Sequence, residues 1–407
     1  MAMPSDNTPL QPETPFLGLA PFLRMSIAGQ DLQPVGQQLL AKAAADENDA
    51  NLWMNLSLAL FCLGQRNLGL AIQGRALAMK REYHLVAAEQ PAKVRLLMLM
   101  VAGDLSANTP IECLLENSDI DLVFYYFSLD APVTLPFPEH DVLMVAISEA
   151  EENYPLLTSL KQKLTDWPKP VINAPQNIPR TGRELASALL QNVPGLLMPA
   201  TLSAPRVVLQ AIATGFASLS ELFETGDFPL ILRPVGSHAG RDLDKIDGPD
   251  ALADYLSRVD AADFYLSPFI DYSGADGLFR KMRVALINDV PFACHMGVSE
   301  HWMIHYVNAG MYEEAWKRAE EAAFMTHFDD FAQRHQAAFQ AIVEQTQLDY
   351  LCIDCAETPD GQLLVFEIDH AMVVHAMDSE TQFPYKQAHM KQAKDAFRNF
   401  LFRITAA

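Results

Sequence analysis

The stretch that most narrows what this chain can become runs from Tyr350 to Asp369. Apolar β-formers, Tyr350-Leu351-Cys352-Ile353 and Leu363-Leu364-Val365-Phe366, flank Thr358-Pro359-Asp360-Gly361, a turn signal that predicts a hairpin. Glu367 and Asp369 stand two positions apart, so on a strand they project from one face. A hairpin folded at Asp360-Gly361 brings Asp354, on the partner strand, towards them. Three carboxylates on one face repel one another unless a cation lies between them. Oxygen ligands without a His or Cys cluster favour Mg²⁺ or Mn²⁺, usually shared with nucleotide phosphates. The competing reading is a set of solvent-facing acids on an exposed hairpin, and the hairpin alone does not separate the two.

With 407 residues the chain has room for two or three domains. Its formal net charge of −22 argues against nucleic acid or an anionic membrane as partner. No run approaches the roughly 18 apolar residues of a membrane span, and the N-terminus lacks the basic-then-apolar pattern of a signal peptide. Cys62, Cys113, Cys294, Cys352 and Cys355 are odd in number and scattered. That usage suits reduced thiols and a cytoplasmic location.

Residues 1–20, rich in Pro and Thr, read as irregular. Residues 21–90 read as a helical module, with Leu39, Leu40, Ala43, Ala44, Leu56, Ala59, Leu60 and Leu63 at helical spacing. The pattern Trp53, Leu56, Leu60, Gly64, Ala71, Ala76 resembles one tetratricopeptide repeat. A single such unit cannot build a solenoid, so the module is expected to dock on the domain that follows. In residues 91–193, predicted strands at 95–101, 121–126, 142–147 and 170–173 alternate with helices at 110–115, 154–164 and 181–191, the pattern of an open parallel α/β sheet. Such sheets bind ligands beyond the carboxyl ends of their strands, which makes Gly103-Asp104-Leu105 and Asn173-Ala174-Pro175 candidate rim segments. After Asn192-Val193-Pro194-Gly195, residues 194–407 read as α+β, with a helix at 331–347 ahead of the acidic hairpin.

Two further stretches carry chemistry. Phe228-Pro229-Leu230-Ile231-Leu232 delivers the cation Arg233, followed by Pro234, Gly236, Ser237, His238 and Gly240. Glycines let backbone N–H groups wrap phosphate oxygens, and a guanidinium chelates those oxygens bidentately. Then Phe264 to Asp271 reads as a strand ending in a short apolar linker that suits a flat base. Lys281 and Arg283 lie on one face of the next strand, facing an anionic ligand or pairing with surface carboxylates.

In this order the parts resemble the ATP-grasp superfamily of carboxylate–amine ligases, from about Pro194 onwards, with residues 91–193 similar to the α/β domain that precedes it. The resemblance rests on Arg233-Pro234 with the glycine loop, on the hinge Ser267-Pro268-Phe269-Ile270, on Arg283-Val284, and on Asp354 followed by Glu367-Ile368-Asp369. It implies ATP held by Arg233, Gly236, Ser237, His238, Gly240, Ser267, Phe269 and Ile270. It implies Mg²⁺ or Mn²⁺ on Asp354, Glu367 and Asp369, with Lys281 and Arg283 at the reacting phosphoryl group. The implied reaction joins a small-molecule carboxylate to an amine, or to a peptide or protein acceptor, through an acyl phosphate. A homodimer is compatible with this reading. The alternative is a nucleotide-binding scaffold without turnover whose helical module recruits a protein partner.

Some positions depart from the family pattern. Arg233 stands for the usual Lys, Pro268 for a residue that is often acidic, and Asp369 for Asn. Lys281 replaces a common acid, and His370 to Asp378 replaces a small-residue loop. The run Glu300-His301-Trp302-Met303-Ile304-His305-Tyr306-Val307-Asn308 has the aromatic and imidazole density of a substrate pocket. The lone Cys352-Ile353-Asp354-Cys355 reads as core rather than a zinc or redox motif. His295, His301, His305, His370 and His375 read as packed side chains rather than a metal site. Residues 313–321 read as a charged, solvent-facing helix.

Overall fold

The computed structural model describes residues 14–223, 227–237 and 240–406. The first part of the irregular N-terminus, and His238, lie outside the described residues. The architecture is the multidomain α+β arrangement expected: a helical module, an open α/β domain and a two-sheet C-terminal region.

The module consists of α1 (Ala20–Ile27), α2 (Gln33–Ala45), α3 (Ala50–Cys62) and α4 (Arg66–Met79). Asp49 caps α3, its Oδ1 accepting from the N–H groups of Asn51 at 2.9 Å and Leu52 at 3.1 Å. Residues 50–61 of α3 are all buried, because α2 and α4 flank the helix and the next domain covers it. A Cβ at Gly69 would lie 2.5 Å from the Phe61 ring, so α4 approaches α3 there more closely than a larger residue permits. Phe16 rivets the module to the neighbouring sheet, its ring 5.2 Å from Tyr83 and 5.4 Å from Phe124. Docking on the next domain is therefore what the structure has.

The central sheet runs β1-β3-β2-β4-β5, built from β1 (Glu82–Leu85), β2 (Val94–Val101), β3 (Ile120–Phe127), β4 (Val142–Val145) and β5 (Val171–Ile172). Only β1 is antiparallel. The near-continuous apolar run of β2 follows from burial on both faces of a parallel sheet. Its helices are α5 (Ile111–Leu114), α6 (Tyr154–Leu164) and α7 (Arg183–Leu189).

Next come β6 (Leu196–Leu197), β7 (Leu202–Pro205), α8 (Arg206–Ala213), β8 (Leu230–Pro234), β9 (Asp244–Ile246), α9 (Pro249–Arg258) and β10 (Asp263–Pro268). Strands β7-β10-β8-β9 form an antiparallel sheet packed on α8 and α9 around Leu209, Leu252 and Phe264. The last part contains β11 (Phe279–Ile287), β12 (Val290–Ser299), α10 (Ala315–Thr326), α11 (Phe328–Arg334), α12 (Gln336–Thr346), β13 (Tyr350–Glu357), β14 (Leu363–Asp369) and α13 (Lys386–Ala406). Its sheet runs β12-β11-β13-β14-β6.

Four sequence expectations change here. The helix expected at 331–347 is two helices broken at His335, whose buried ring turns towards Glu357 at 3.2 Å. Helix α10 is not simply solvent-facing, because Glu321 is fully buried. Helix α13 was not expected at all; it packs across both β11–β12 and β2–β4 and joins the two halves of the molecule. Asn173 is no rim residue: it is fully buried, donates to the Tyr350 carbonyl at 2.8 Å and accepts from the Tyr350 N–H at 3.0 Å. The turn after β5 thus clasps the start of β13, and the carboxamide satisfies a strand end that would otherwise carry unpaired polar groups.

Candidate active site

The two C-terminal sheets face each other across a cavity of about 450 Å³. At one end β10 runs into the linker holding Phe269 and Ile270, opposite Leu364 and Phe366 on β14. Tyr272 packs against Phe366 at 5.0 Å and its hydroxyl donates to the Trp302 carbonyl. The result is an apolar slot with aromatic walls. The Phe269 N–H donates to the Pro229 carbonyl at 3.0 Å, so that main-chain donor is spent inside the protein. Specificity for a base would come from other groups.

The middle of the cavity is charged. Strand pairing puts Arg283 on β11, Asp354 on β13 and Glu367 on β14 in one row across the sheet. Asp354 is 4% exposed. Its Oδ1 accepts from Arg283 Nε at 2.8 Å, and its Oδ2 from Arg283 Nη2 at 3.1 Å and Lys281 Nζ at 2.8 Å. Burial pushes the Asp354 carboxyl up, but the Arg283 guanidinium and Lys281 ammonium outweigh it and hold it well below the usual carboxylate range. Glu367 is likewise pushed up by burial and pulled down further by Arg183, with which it is paired. The Asp369 Oδ1 accepts from the Ala371 N–H at 2.8 Å.

Arg183 is a residue sequence reading missed. It opens α7 directly after Gly182, and the basic pair Arg180 and Arg183 around a helix start was the available signal. Arg233, on β8, is buried; its Nε donates to Ser237 Oγ at 3.1 Å and its Nη2 to the Ser237 carbonyl. Burial and the neighbouring Arg183 push the guanidinium down to about 10, still charged at neutral pH. Four cations, Arg183, Arg233, Lys281 and Arg283, therefore share the cavity wall with three carboxylates.

Of the expected ligand-binding residues, Arg233, Gly240, Ser267, Phe269 and Ile270 line the cavity, as do Lys281, Arg283, Asp354, Glu367 and Asp369. Gly236 and Ser237 do not line it; Ser237 acts on Arg233 instead. The aromatic run is divided. Trp302, Met303, Ile304 and His305 line the cavity, while Glu300, His301 and Val307 are exposed. At the far end Leu105 and Ser106 of the central domain meet Ala371 and Val373, and Arg283 Nη1 donates to the Val373 carbonyl at 3.2 Å.

Behind this wall lies a buried charged network. Lys386 is 2% exposed, 3.0 Å from Asp378 Oδ2, 3.3 Å from Glu321 Oε1 and 2.6 Å from the Tyr306 hydroxyl. Glu321 accepts from the hydroxyls of Tyr306 at 2.8 Å and Tyr385 at 2.5 Å, and from the Met296 N–H at 3.0 Å. Burial, then the Glu321 carboxylate, raises the Tyr306 phenol well above its ordinary value. Tyr306 directly follows His305, so the network anchors the loop that presents Trp302 to His305.

A divalent cation meets a mixed donor set. The oxygens suit a hard ion in kind, and Glu367 and Asp369 on one face of β14 fit it. Asp354 does not, since both its oxygens are already taken by protein cations. Among the described residues no group of three His, Cys, Asp or Glu side chains is arranged to hold a metal ion. The expected three-acid cage is thus reduced to two acids and an internal ion pair. Cys352 and Cys355 are buried free thiols.

No protein-family model matches the chain. Among solved structures it is similar to D-alanine–D-alanine ligase from Bacillus anthracis complexed with ATP, at 14% identity and a TM-score of 0.45 over 77% of this chain and 99% of that one. It is also similar to a RimK domain ATP-grasp protein from Sphaerobacter thermophilus, at 14% identity and a TM-score of 0.42 over 76% and 99%. The ATP-grasp ligase PsnB, complexed with precursor peptide PsnA2 and AMPPNP, is similar at 14% identity and a TM-score of 0.38 over 73% and 96%.

Proposed function

We propose that this chain is an ATP-dependent carboxylate–amine ligase of the ATP-grasp type. The observation that carries the reading is one cavity between an antiparallel sheet and a mixed one, aromatic and apolar at one end and lined by four cations beside three carboxylates in the middle. A flat base fits the slot between Phe269, Ile270 and Phe366. The triphosphate then runs along Arg233, Arg183 and Lys281. Mg²⁺ or Mn²⁺, when bound, screens phosphate charge and polarises the transferring group, and Glu367 and Asp369 would hold it.

A substrate carboxylate oxygen attacks the γ-phosphorus and ADP leaves, giving an acyl phosphate. The nitrogen of an amine, on a small molecule or a peptide, attacks the acyl carbon; phosphate departs and an amide forms. The protein positions the partners and stabilises charge. Burial and Lys281 hold the His305 imidazole below its usual pKa, and the proton lost by the attacking nitrogen leaves with the departing phosphate or to solvent.

Full-length protein with ATP, Mg²⁺ and a panel of carboxylates tests this. Hydroxylamine, replacing the amine, should trap the acyl phosphate as a hydroxamate while ADP appears only with a suitable carboxylate. The pairing of Asp354 with Lys281 and Arg283 favours one second reading, nucleotide binding without turnover. It predicts tight ATP binding and no hydroxamate with any carboxylate.

A further inference from the structure

Lys281 occupies the place at Asp354 that a divalent ion would take. Its ammonium lies 2.8 Å from Asp354 Oδ2, which also accepts from Arg283 Nη2 at 3.1 Å, so both acceptor sites of that oxygen are engaged by protein cations. The same ammonium reaches the Ile304 carbonyl at 3.4 Å and lines the cavity, so it faces the ligand space as well as the carboxylate. Arg283 takes Asp354 from the other side in two hydrogen bonds, leaving a satisfied, buried pair. Arg183 does the same in part for Glu367. Cations on the wall outnumber carboxylates before any ligand arrives, so a polyphosphate entering here meets net positive charge supplied by the protein.

We propose that Lys281 acts as a built-in cation in place of one metal ion, so that this chain binds a nucleoside triphosphate with one divalent ion fewer than a three-acid site would need and retains much of its affinity with none. The inference rests on the nucleotide reading above and goes beyond it. Lys281, bridging Asp354 and the phosphates, neutralises charge that a second metal would otherwise carry. An ammonium supplies one positive charge and three donors.

The test uses full-length protein and the β,γ-imido analogue of ATP. Calorimetry in excess Mg²⁺ and in excess EDTA should give wild-type affinities within about tenfold of each other. Lys281→Met should bind in Mg²⁺ but lose about a hundredfold in EDTA, and electron paramagnetic resonance should count one more bound Mn²⁺ per nucleotide than in wild type. Lys281→Arg, which keeps the charge, should count as wild type does. Two results overturn the proposal: wild-type binding that vanishes in EDTA, or equal Mn²⁺ counts in wild type and Lys281→Met. The EDTA comparison needs no variant, so misfolding of Lys281→Met cannot shelter the idea. Folded wild-type protein that fails to bind nucleotide with or without metal overturns the nucleotide reading itself, and this inference with it.

Discussion

Gly240 and His305 meet across the cavity mouth so closely that a Cβ on Gly240 would lie 2.3 Å from His305 Nε2. Gly240 follows β8 and its glycine turn; His305 comes from the aromatic loop after β12. The glycine also holds φ +67°, a conformation that side chains resist. Gly240→Ala should therefore displace the His305 ring and open the cavity mouth, weakening ATP binding about tenfold with little change in the melting curve. Adding His305→Ala should recover part of the loss in calorimetry. If the double variant binds no better than Gly240→Ala, the contact does not govern closure.

Asp354→Asn should destabilise the fold by about 3 kcal/mol, because Lys281 and Arg283 would then face each other over a neutral amide in a largely buried site. The native carboxyl is depressed, so its contribution is fully present above the ordinary carboxylate pKa and is lost only as pH falls towards its folded value. Urea unfolding at neutral pH reads the whole effect. The pair Asp354→Asn with Lys281→Met should lie closer to wild type than Asp354→Asn alone, and a strictly additive result would mean that the two groups are not coupled.

Lys386→Met leaves Glu321 and Asp378 buried together without their shared cation. A loss of about 3–5 kcal/mol is expected in urea unfolding. Glu321→Gln in the same chain should restore part of it by removing one of the two unpaired charges, its one amide oxygen keeping either the Met296 N–H or the two tyrosine hydroxyls, which the carboxylate holds on separate oxygens. The tryptophan emission of the anchored loop should shift in Lys386→Met. Unchanged emission with lowered stability would place the network's role in the core alone.

Much of the site was legible because strand periodicity places side chains. Glu367 and Asp369 share a face by spacing, Lys281 and Arg283 do likewise, and Arg233 sits at a strand end before a glycine turn. What could not be read was which charge meets which. That Asp354 pairs with Lys281 and Arg283 depends on the β11–β13 register, which no local pattern encodes. Arg183 enters from another domain, and Asn173 faces β13 rather than a ligand, for the same reason: their partners lie more than a hundred residues away. Helix α13 was legible and overlooked. Met390, Ala393, Phe397, Phe400 and Leu401 recur at helical spacing and are all buried.

The last prediction concerns acid. His370 is fully buried, its Nε2 donating to the Ile147 carbonyl at 2.9 Å, and burial pushes its pKa down to about 4. Between the unfolded histidine value near 6.5 and that folded value, the unfolded chain binds more protons than the native one. Stability is therefore fully present above about pH 6.5 and falls steadily towards pH 4, by up to about 3 kcal/mol from this residue. His375, also held at about 4 by burial, adds in the same direction. His370→Gln keeps an N–H donor for Ile147 but cannot titrate. Urea midpoints at pH 7.5 and 5 should differ less in this variant than in wild type, even if its stability at pH 7.5 is lower. An equal difference in the two proteins would mean that His370 takes up its proton without unfolding, and that the bond joining β14's end to the central sheet tolerates an imidazolium.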